Sequence, residues 1–310
     1  MSRARRRRAK KASRARRDPS ETRLDLHLHT TRSDGRHAPA DVLEQCAARG
    51  LHTIALTDHD VPPGVVAGDH TFGDRTLRVL HAAEVSVRHA EREYHLLAYF
   101  PGEMPERFKA FLRRRAQARA DRYDNALDIL GCHELPRADA TARAGERALT
   151  RHHLARALVD SGRAGSIHAA FQGPLARRKG AVPPIELGAR QALDTMRQAG
   201  AIPVWAHPGV DDALAHAATF KGWGLQGLEA MRPSLSGTNT ARLERIALGL
   251  GLVVTGGSDW HGWSRRLGSF RVRSRAVQPF LDLLSACSPE DRKATSTSVD
   301  QTPAEAVDVA

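Results

Sequence analysis

Short apolar runs alternate with longer amphipathic ones along most of the chain. LDLHLH, TIALTDH, LRVLHAAEVSV, YHLLAYF, AIPVWAHP, LQGLEAM and GLVVTGGSD have the length and apolar content of strands. PADVLEQCAARG, ELGARQALDTMRQAG and TNTARLERIALGLG place apolar residues three or four positions apart and end in glycine, as helices do. This alternation predicts an α/β fold, a parallel sheet or barrel with helices outside it. From about Met104 to Val182 the rhythm breaks. ERFKAFLRRRAQARADRYDNALDIL and RHHLARALVDSG are helical in pattern, and no convincing strand intervenes. We read this region as a helical insertion capping the barrel. Its arginines are spaced as on a solvated helix face, with a path for a polyanion as the alternative reading.

A length of 310 residues suits one large α/β domain or two ordinary ones. The net charge of +12 is unevenly placed. Residues 1–17 hold ten of the 47 basic residues and no acid, leaving 37 basic against 35 acidic residues in the rest. We expect residues 1–20 to be a disordered basic tail, either solubilising or condensing on RNA or another polyanion through counterion release. The polar, aperiodic stretch 288–310 is expected to be disordered as well. The folded domain is then 21–287. The tail lacks the apolar stretch of a signal peptide, and no run approaches the roughly 18 apolar residues of a membrane span. Cys46, Cys132 and Cys287 are odd in number and form no CxxC pair, so neither a disulfide framework nor a thiolate zinc site is expected. A reducing cytoplasm fits best.

Candidate chemistry begins at His27 and His29. A strand rises about 3.3 Å per residue and points alternate side chains to one face, so the two rings project side by side as a chelating pair. An isolated HxH is more often a pair of histidines on a half-exposed strand, so the rest of the chain must decide. Polar residues interrupt or end the other strand-like runs: His59, Glu84, His95, His207, then Asp259 and His261, while Asp34 follows the first run. In parallel α/β folds, ligands and catalytic groups gather at the carboxyl ends of strands. Six imidazoles and three carboxylates suit Zn²⁺, Mn²⁺ or Fe²⁺, and nine donors suit two or three ions rather than one. Such a cluster creates hydroxide at neutral pH and clamps phosphoryl oxygens. Asp58 is expected to hydrogen-bond an imidazole and fix its tautomer. His37, His52, His70, His81, His89, His133, His152, His168 and His216 read as surface or packing residues. Trp205, Trp260 and Trp263 flank the site motifs; packing is the default reading and stacking on a base the alternative.

DLHLHTTRSDG, LTDHD, AEVS, YHLLAY, WAHPG and GSDWHG, in this order, resemble the motifs of the PHP family, the polymerase and histidinol phosphatase superfamily. The resemblance runs from Leu24 to about Leu267. Within it, TRHHLARALVDSG resembles the RNase AM and 3′,5′-nucleoside bisphosphate phosphatase branch. The resemblance implies a distorted (β/α)₇ barrel with a trinuclear site. His27, His29 and Asp259 would bind the first metal, and Glu84 would bridge it to the third. Asp34, His59 and His261 would bind the second, with His95 and His207 completing the third. Arg151 and His153 would hold a substrate phosphate, with Lys179 a weaker candidate. RRKGAVPP departs from relatives that carry an aromatic residue before the proline, which bears on substrate fit rather than metal binding. The implied activity is hydrolysis of the 3′-phosphate of 3′,5′-nucleoside bisphosphates, 5′-to-3′ trimming of short RNA, or both, by hydroxide held between the metals with no side-chain nucleophile. The alternatives are a histidinol-phosphate phosphatase and an RNA-binding module with a vestigial site. The intact ligand set weighs against the second.

Overall fold

The computed structural model of the chain describes residues 23–263 and 265–287. The two expected tails, and any polyanion contact of the basic one, lie outside the described residues. The strands are β1 (Leu24–Leu28), β2 (Thr53–Leu56), β3 (Gly68–Phe72), β4 (Arg75–His89), β5 (Arg92–Phe100), β6 (Ile202–Trp205), β7 (Gly227–Met231) and β8 (Val253–Gly256). They form one sheet in the order β1-β2-β4-β5-β6-β7-β8, with β3 paired to the start of β4. Leu28 bridges Trp260 beyond β8, and His29 N donates to Trp260 O at 3.0 Å, so the sheet nearly closes into a barrel. Closure depends on a close approach. A Cβ on Gly257 would sit 2.3 Å from the Cβ of His27, so any larger residue there would push β8 and β1 apart.

All seven expected strands form, but the sheet is mixed rather than parallel. β1, β2 and β4 run parallel, as do β6, β7 and β8, whereas β5 is antiparallel to both β4 and β6. The cause is the connection after β4. Two residues, Ala90 and Glu91, join β4 to β5, both with positive φ (46° and 61°). A loop that short makes a hairpin and cannot make a parallel crossover. Ala-Glu lacks the Asn-Gly or Asp-Gly signature of such a turn, and this hid the reversal in the sequence. Polar GDHTF hid β3 in the same way.

Helices α1 (Pro39–Ala48), α6 (Ala189–Gln198) and α8 (Gly237–Gly249) are the three expected ones outside the insertion; α7 (Val210–Gly222) and α9 (Ser274–Ala286) were not anticipated. Leu80 and Ala82 of β4 and Leu97 and Tyr99 of β5 cluster with Val277, Phe280 and Leu284 of α9. By strand alternation, Glu84 and His95 continue the same faces toward the other end. The opposite faces, Ala83, Val85, Leu96 and Ala98, pack on Leu193 and Met196 of α6 and Phe220 of α7.

Between β5 and β6 lie α2 (Glu106–Ile129), α3 (Ala140–Arg143), α4 (Arg151–Asp160) and α5 (Ile167–Gln172), then a 3₁₀ turn at Arg177–Lys179. They form the expected helical cap, with a cluster of its own that includes Ala120, Leu127, Leu154, Leu158 and Ala170. Among the described residues, no helix is long and apolar enough to cross a membrane. Several cap arginines depart from the solvated-face expectation: Arg115 and Arg122 are largely buried, and Arg119 more so. Arg119 is buried; its Nε donates to Asp60 Oδ2 at 2.7 Å, Nη2 to Ser86 Oγ at 2.6 Å and Nη1 to Leu149 O at 3.2 Å. Its position, four residues on from Arg115 and three on from Ala116, places it on the same buried helix face as Leu112 and Ala116. Removing one partner of a buried ion pair leaves the other uncompensated. Arg119→Ala should therefore cost about 3–5 kcal/mol of stability, measured by urea denaturation.

Candidate metal centre

His27 lies in β1, and His29 follows its end. β2 stops at Leu56, after which Thr57, Asp58, His59 and Asp60 turn away from the sheet. Glu84 sits inside β4 rather than at a strand end, but β4 outlasts its neighbour. Leu56 pairs with His81, which leaves Glu84 three residues beyond the end of β2. His95 is near the start of β5, and the reversal of that strand brings it to the same end of the barrel. His207 follows β6, and Asp259 and His261 follow β8. Asp60, His207 and Asp259 all have positive φ, at 48°, 35° and 51°.

The other eight candidates gather around Glu84, five of them in contact with it. Its Oε2 lies 3.2 Å from His27 Nε2, His29 Nε2 and His59 Nδ1, and its Oε1 lies 2.9 Å from His95 Nδ1 and His207 Nε2. Asp259 Oδ1 is 3.2 Å from His29 Nε2 and 3.5 Å from His27 Nε2. Asp34 reaches His261 Nε2 at 3.3 Å and His59 Nε2 at 3.9 Å. Three groups have donor atoms close enough to share an ion: His27, His29 and Asp259; His29, Asp34, His59 and His261; and His59, Glu84 and His95. These overlap the three ligand sets implied by the resemblance, with His29 and His59 each near a second set and His207 at the Glu84 edge of the third.

The electrostatics follow from burial and crowding. Burial disfavours a charged Glu84, but the imidazoles of His59, His95 and His27 outweigh it and hold the carboxyl well below its usual range. Burial likewise opposes charge on His29 and His95. Hydrogen bonds and fields from Asp259 and Glu84 lift His29 to about 10, and Glu84 and Glu93 lift His95 to about 9. For His59 burial wins, with the neighbouring His29 and His95 adding to it, and the ring falls to about 3. Asp34 Oδ1 and His59 Nδ1 are buried with no hydrogen-bond partner of proper geometry. Orphaned acceptors amid nitrogen and oxygen donors fit divalent cations, the ion class expected from the sequence.

Besides Asp60, which pairs with Arg119, two buried carboxylates escaped the sequence reading. Glu229 of β7 is within 3.0 Å of His27 Nδ1 and accepts from His207 N at 2.8 Å, so one side chain steadies two ring-bearing segments. A lone acid inside the apolar LQGLEAM run was the available sign. Asp25 accepts from Ser258 N at 2.8 Å and so ties β1 to the segment that carries Asp259. Asp58 does not orient an imidazole as expected. Its carboxylate accepts from Thr30 N, Thr30 Oγ1 and Ser33 Oγ at 2.7–2.8 Å, shaping the turn that delivers Asp34.

The substrate-binding candidates are dispersed. Arg151 lines a cavity of about 290 Å³ with Arg88, Arg92, Arg122, Arg177 and Glu93. It donates to Leu175 O, lies over the Phe171 ring, and has a buried Nε without a partner. His153 lines a different cavity, of about 510 Å³, within the cap. Its Nδ1 accepts from Thr150 N at 3.0 Å as part of the α4 capping box, and burial pushes its pKa down to about 4. Lys179 is exposed in the 3₁₀ turn beside Arg177. Among the other histidines, His81 is a packing residue, bonded to Val65 O at 2.8 Å and Met104 N at 2.9 Å. Trp205 and Trp260 are buried, whereas Trp263 is exposed.

Comparison with known proteins agrees with this architecture. The chain is 31% identical over 253 residues to the phosphoribosyl 1,2-cyclic phosphate 1,2-diphosphodiesterase of Eggerthella lenta, covering 77% of this chain and 94% of that protein. It is 30% identical over 259 residues to the 5′-3′ exoribonuclease Rnm of Escherichia coli (76% and 84% covered). It is 29% identical over 252 residues to the 3′,5′-nucleoside bisphosphate phosphatase of Chromobacterium violaceum (77% and 87% covered). A solved amidohydrolase from Chromobacterium violaceum, with bound sulfate and no metal, superposes with a TM-score of 0.68 at 23% identity, over 86% of this chain and 96% of that one. The PHP domain model matches residues 25–197, the stretch that supplies His27, His29, Asp34, His59, Glu84 and His95, and the chain belongs to the PHP domain family.

Proposed function

We propose that the protein is a divalent-metal-dependent phosphoesterase acting on nucleotides. It removes the 3′-phosphate of 3′,5′-nucleoside bisphosphates, trims short RNA from its 5′-end, or does both. The observation that carries this reading is the pairing of nine nitrogen and oxygen donors around Glu84 with an arginine-lined cavity connected to them through Glu93. That residue lies 3.9 Å from His95 Nε2 and 3.1 Å from Arg122 Nη2. A substrate with two phosphates has a use for both features. Histidinol phosphate, with one phosphate, leaves the arginines unused. The names of the exoribonuclease and bisphosphate phosphatase relatives support the same substrate class.

In this reading His27, His29 and Asp259, with Glu84, hold one ion; Asp34, His59 and His261 hold a second; and Glu84, His95 and His207 hold a third, the ions being Mn²⁺, Zn²⁺ or Fe²⁺. Bound there, they supply a water-derived nucleophile at neutral pH and offset the charge of the phosphoryl oxygens. Arg151 offers a planar fork to the phosphate that is not cleaved. Glu229 keeps His27 in register by its Nδ1 contact, leaving Nε2 on the Glu84 side, free to hold an ion there. The catalytic unit is residues 21–287 with the cap inserted at about 104–182. Its free cysteines suit a reducing compartment such as the cytoplasm.

Three outcomes test this. Mn²⁺-loaded protein should release phosphate from adenosine 3′,5′-bisphosphate, and both EDTA and His29→Ala should lower the rate by about 100-fold or more; release that survives both overturns the reading. Metal binding must strip protons from His29 and His95, whose values near 10 and 9 leave them protonated at pH 7. Apparent Mn²⁺ affinity should therefore rise from pH 6 to pH 9, with proton uptake by the buffer on binding, seen by calorimetry in buffers of different ionisation enthalpy. Glu229→Gln keeps the shape but loses the carboxylate, and should weaken metal affinity about 10- to 100-fold by metal analysis after dialysis.

A further inference from the structure

The rim of the metal centre carries one large aromatic side chain that the core does not use. Trp260 is 5% exposed, but Trp263, three residues on, is 46% exposed. Its ring is nonetheless fixed, because Nε1 donates to Asp34 O at 2.9 Å. Around it stand the His152 ring, with its centroid 5.2 Å away and inclined by 36°, and the guanidinium carbons of Arg36 and Arg156, 5.8 Å and 6.0 Å from the ring centroid. Arg36 N in turn donates to His261 O at 2.8 Å. Three separate segments thus build one cationic and aromatic wall beside two of the metal-ligand candidates, Asp34 and His261.

We propose that Trp263, framed by His152, Arg36 and Arg156, is the platform on which the base of a nucleotide substrate stacks. The proposal rests on the nucleotide reading above and adds the residue that contacts the base. An exposed indole held rigid offers a π-face at little cost in side-chain freedom, and flanking guanidinium groups strengthen base binding through cation–π contact. Stacking is tolerant of base identity, which suits an enzyme meeting successive nucleotides of an RNA end. The placement is also consistent with the arginine cavity. Arg151 lines that cavity while its neighbour His152 lines the Trp263 wall, so the start of α4 separates a phosphate-binding side from a base-binding side.

The test compares wild type, Trp263→Phe and Trp263→Ala on adenosine 3′,5′-bisphosphate and on the tetrahydrofuran analogue that has both phosphates and no base. Wild type should favour the base-bearing substrate by about 5- to 100-fold in kcat/KM, chiefly through KM. Trp263→Phe, which lacks the Nε1 bond to Asp34 but keeps an aromatic face, should retain most of that preference, and Trp263→Ala should lose it. Equal preference in wild type and Trp263→Ala overturns the proposal. So does a Phe variant as impaired as the Ala variant, which would assign Trp263 to support of the Asp34 loop. A second arm needs no turnover: adenosine 5′-monophosphate should quench the tryptophan fluorescence of the wild type, ribose 5-phosphate should not, and Trp263→Phe should abolish the quenching. If wild type hydrolyses neither bisphosphate, the phosphoesterase reading fails and this arm alone decides the platform. Quenching absent in wild type, or unchanged in Trp263→Phe, overturns it.

Discussion

A carboxylate with no exposure to solvent, Glu84, touches five imidazoles, and the rest of the structure is arranged around that fact. Burying an isolated charge costs far more than a domain can tolerate, so positive charge must stay beside it. Protons on the rings and divalent cations compete for the same nitrogen atoms as the source of that charge. The five rings come from β1 and its end, the turn after β2, the start of β5 and the turn after β6. No one of these segments can shift without uncovering part of the Glu84 charge. Convergence of the strands at this end is therefore an electrostatic requirement as well as a packing one.

The requirement is met with a strained backbone. Asp60, His207 and Asp259 hold positive φ without being glycine, an arrangement that costs of order 1–3 kcal/mol per residue and persists only where the surroundings fix it. Each has such surroundings. Asp60 N donates to Glu84 O at 2.9 Å, and the Asp60 side chain meets Arg119. His207 N is held by Glu229, and Asp259 lies between Ser258, bonded to Asp25, and Trp260, bridged to β1. The buried acids Asp25, Asp60 and Glu229 thus stabilise backbone turns whose purpose is to aim other residues.

This separation explains what could be read in the sequence. The ring-bearing motifs were legible because HLH, DH and DWH place donors at or beyond the ends of recognisable apolar runs. All nine donors meet in space. The supporting acids were not legible in the same way. Asp25 and Glu229 lie within apolar strands, where one acid among hydrophobic neighbours looks like an exposed position, and Asp58 beside His59 looked like its partner although it serves the Thr30–Ser33 turn. The strand reversal at β5 was hidden because Ala90 and Glu91 adopt positive φ without the residues that favour it. Arg119 was hidden among other arginines in a helix whose inward face only tertiary contact defines.

The same contacts decide how the cap relates to the barrel. Arg119 of α2 binds Asp60, next to His59, and Ser86, two residues from Glu84. Arg122 of α2 donates to Glu93, two residues before His95, and to Pro183 O. Ala148 N, just before α4, donates to Arg32 O in the turn that delivers Asp34. Apart from the Pro183 bond, each of these attachments ends within two residues of a metal-ligand candidate. Lifting the cap would break a buried ion pair and disturb His59, His95 and Asp34 together, a cost of several kcal/mol from the Arg119–Asp60 pair alone. The cap is accordingly a fixed wall of the site. The arginines it contributes to the 290 Å³ cavity share one rigid frame with the donors around Glu84, as the proposed two-phosphate substrate would require for its positioning.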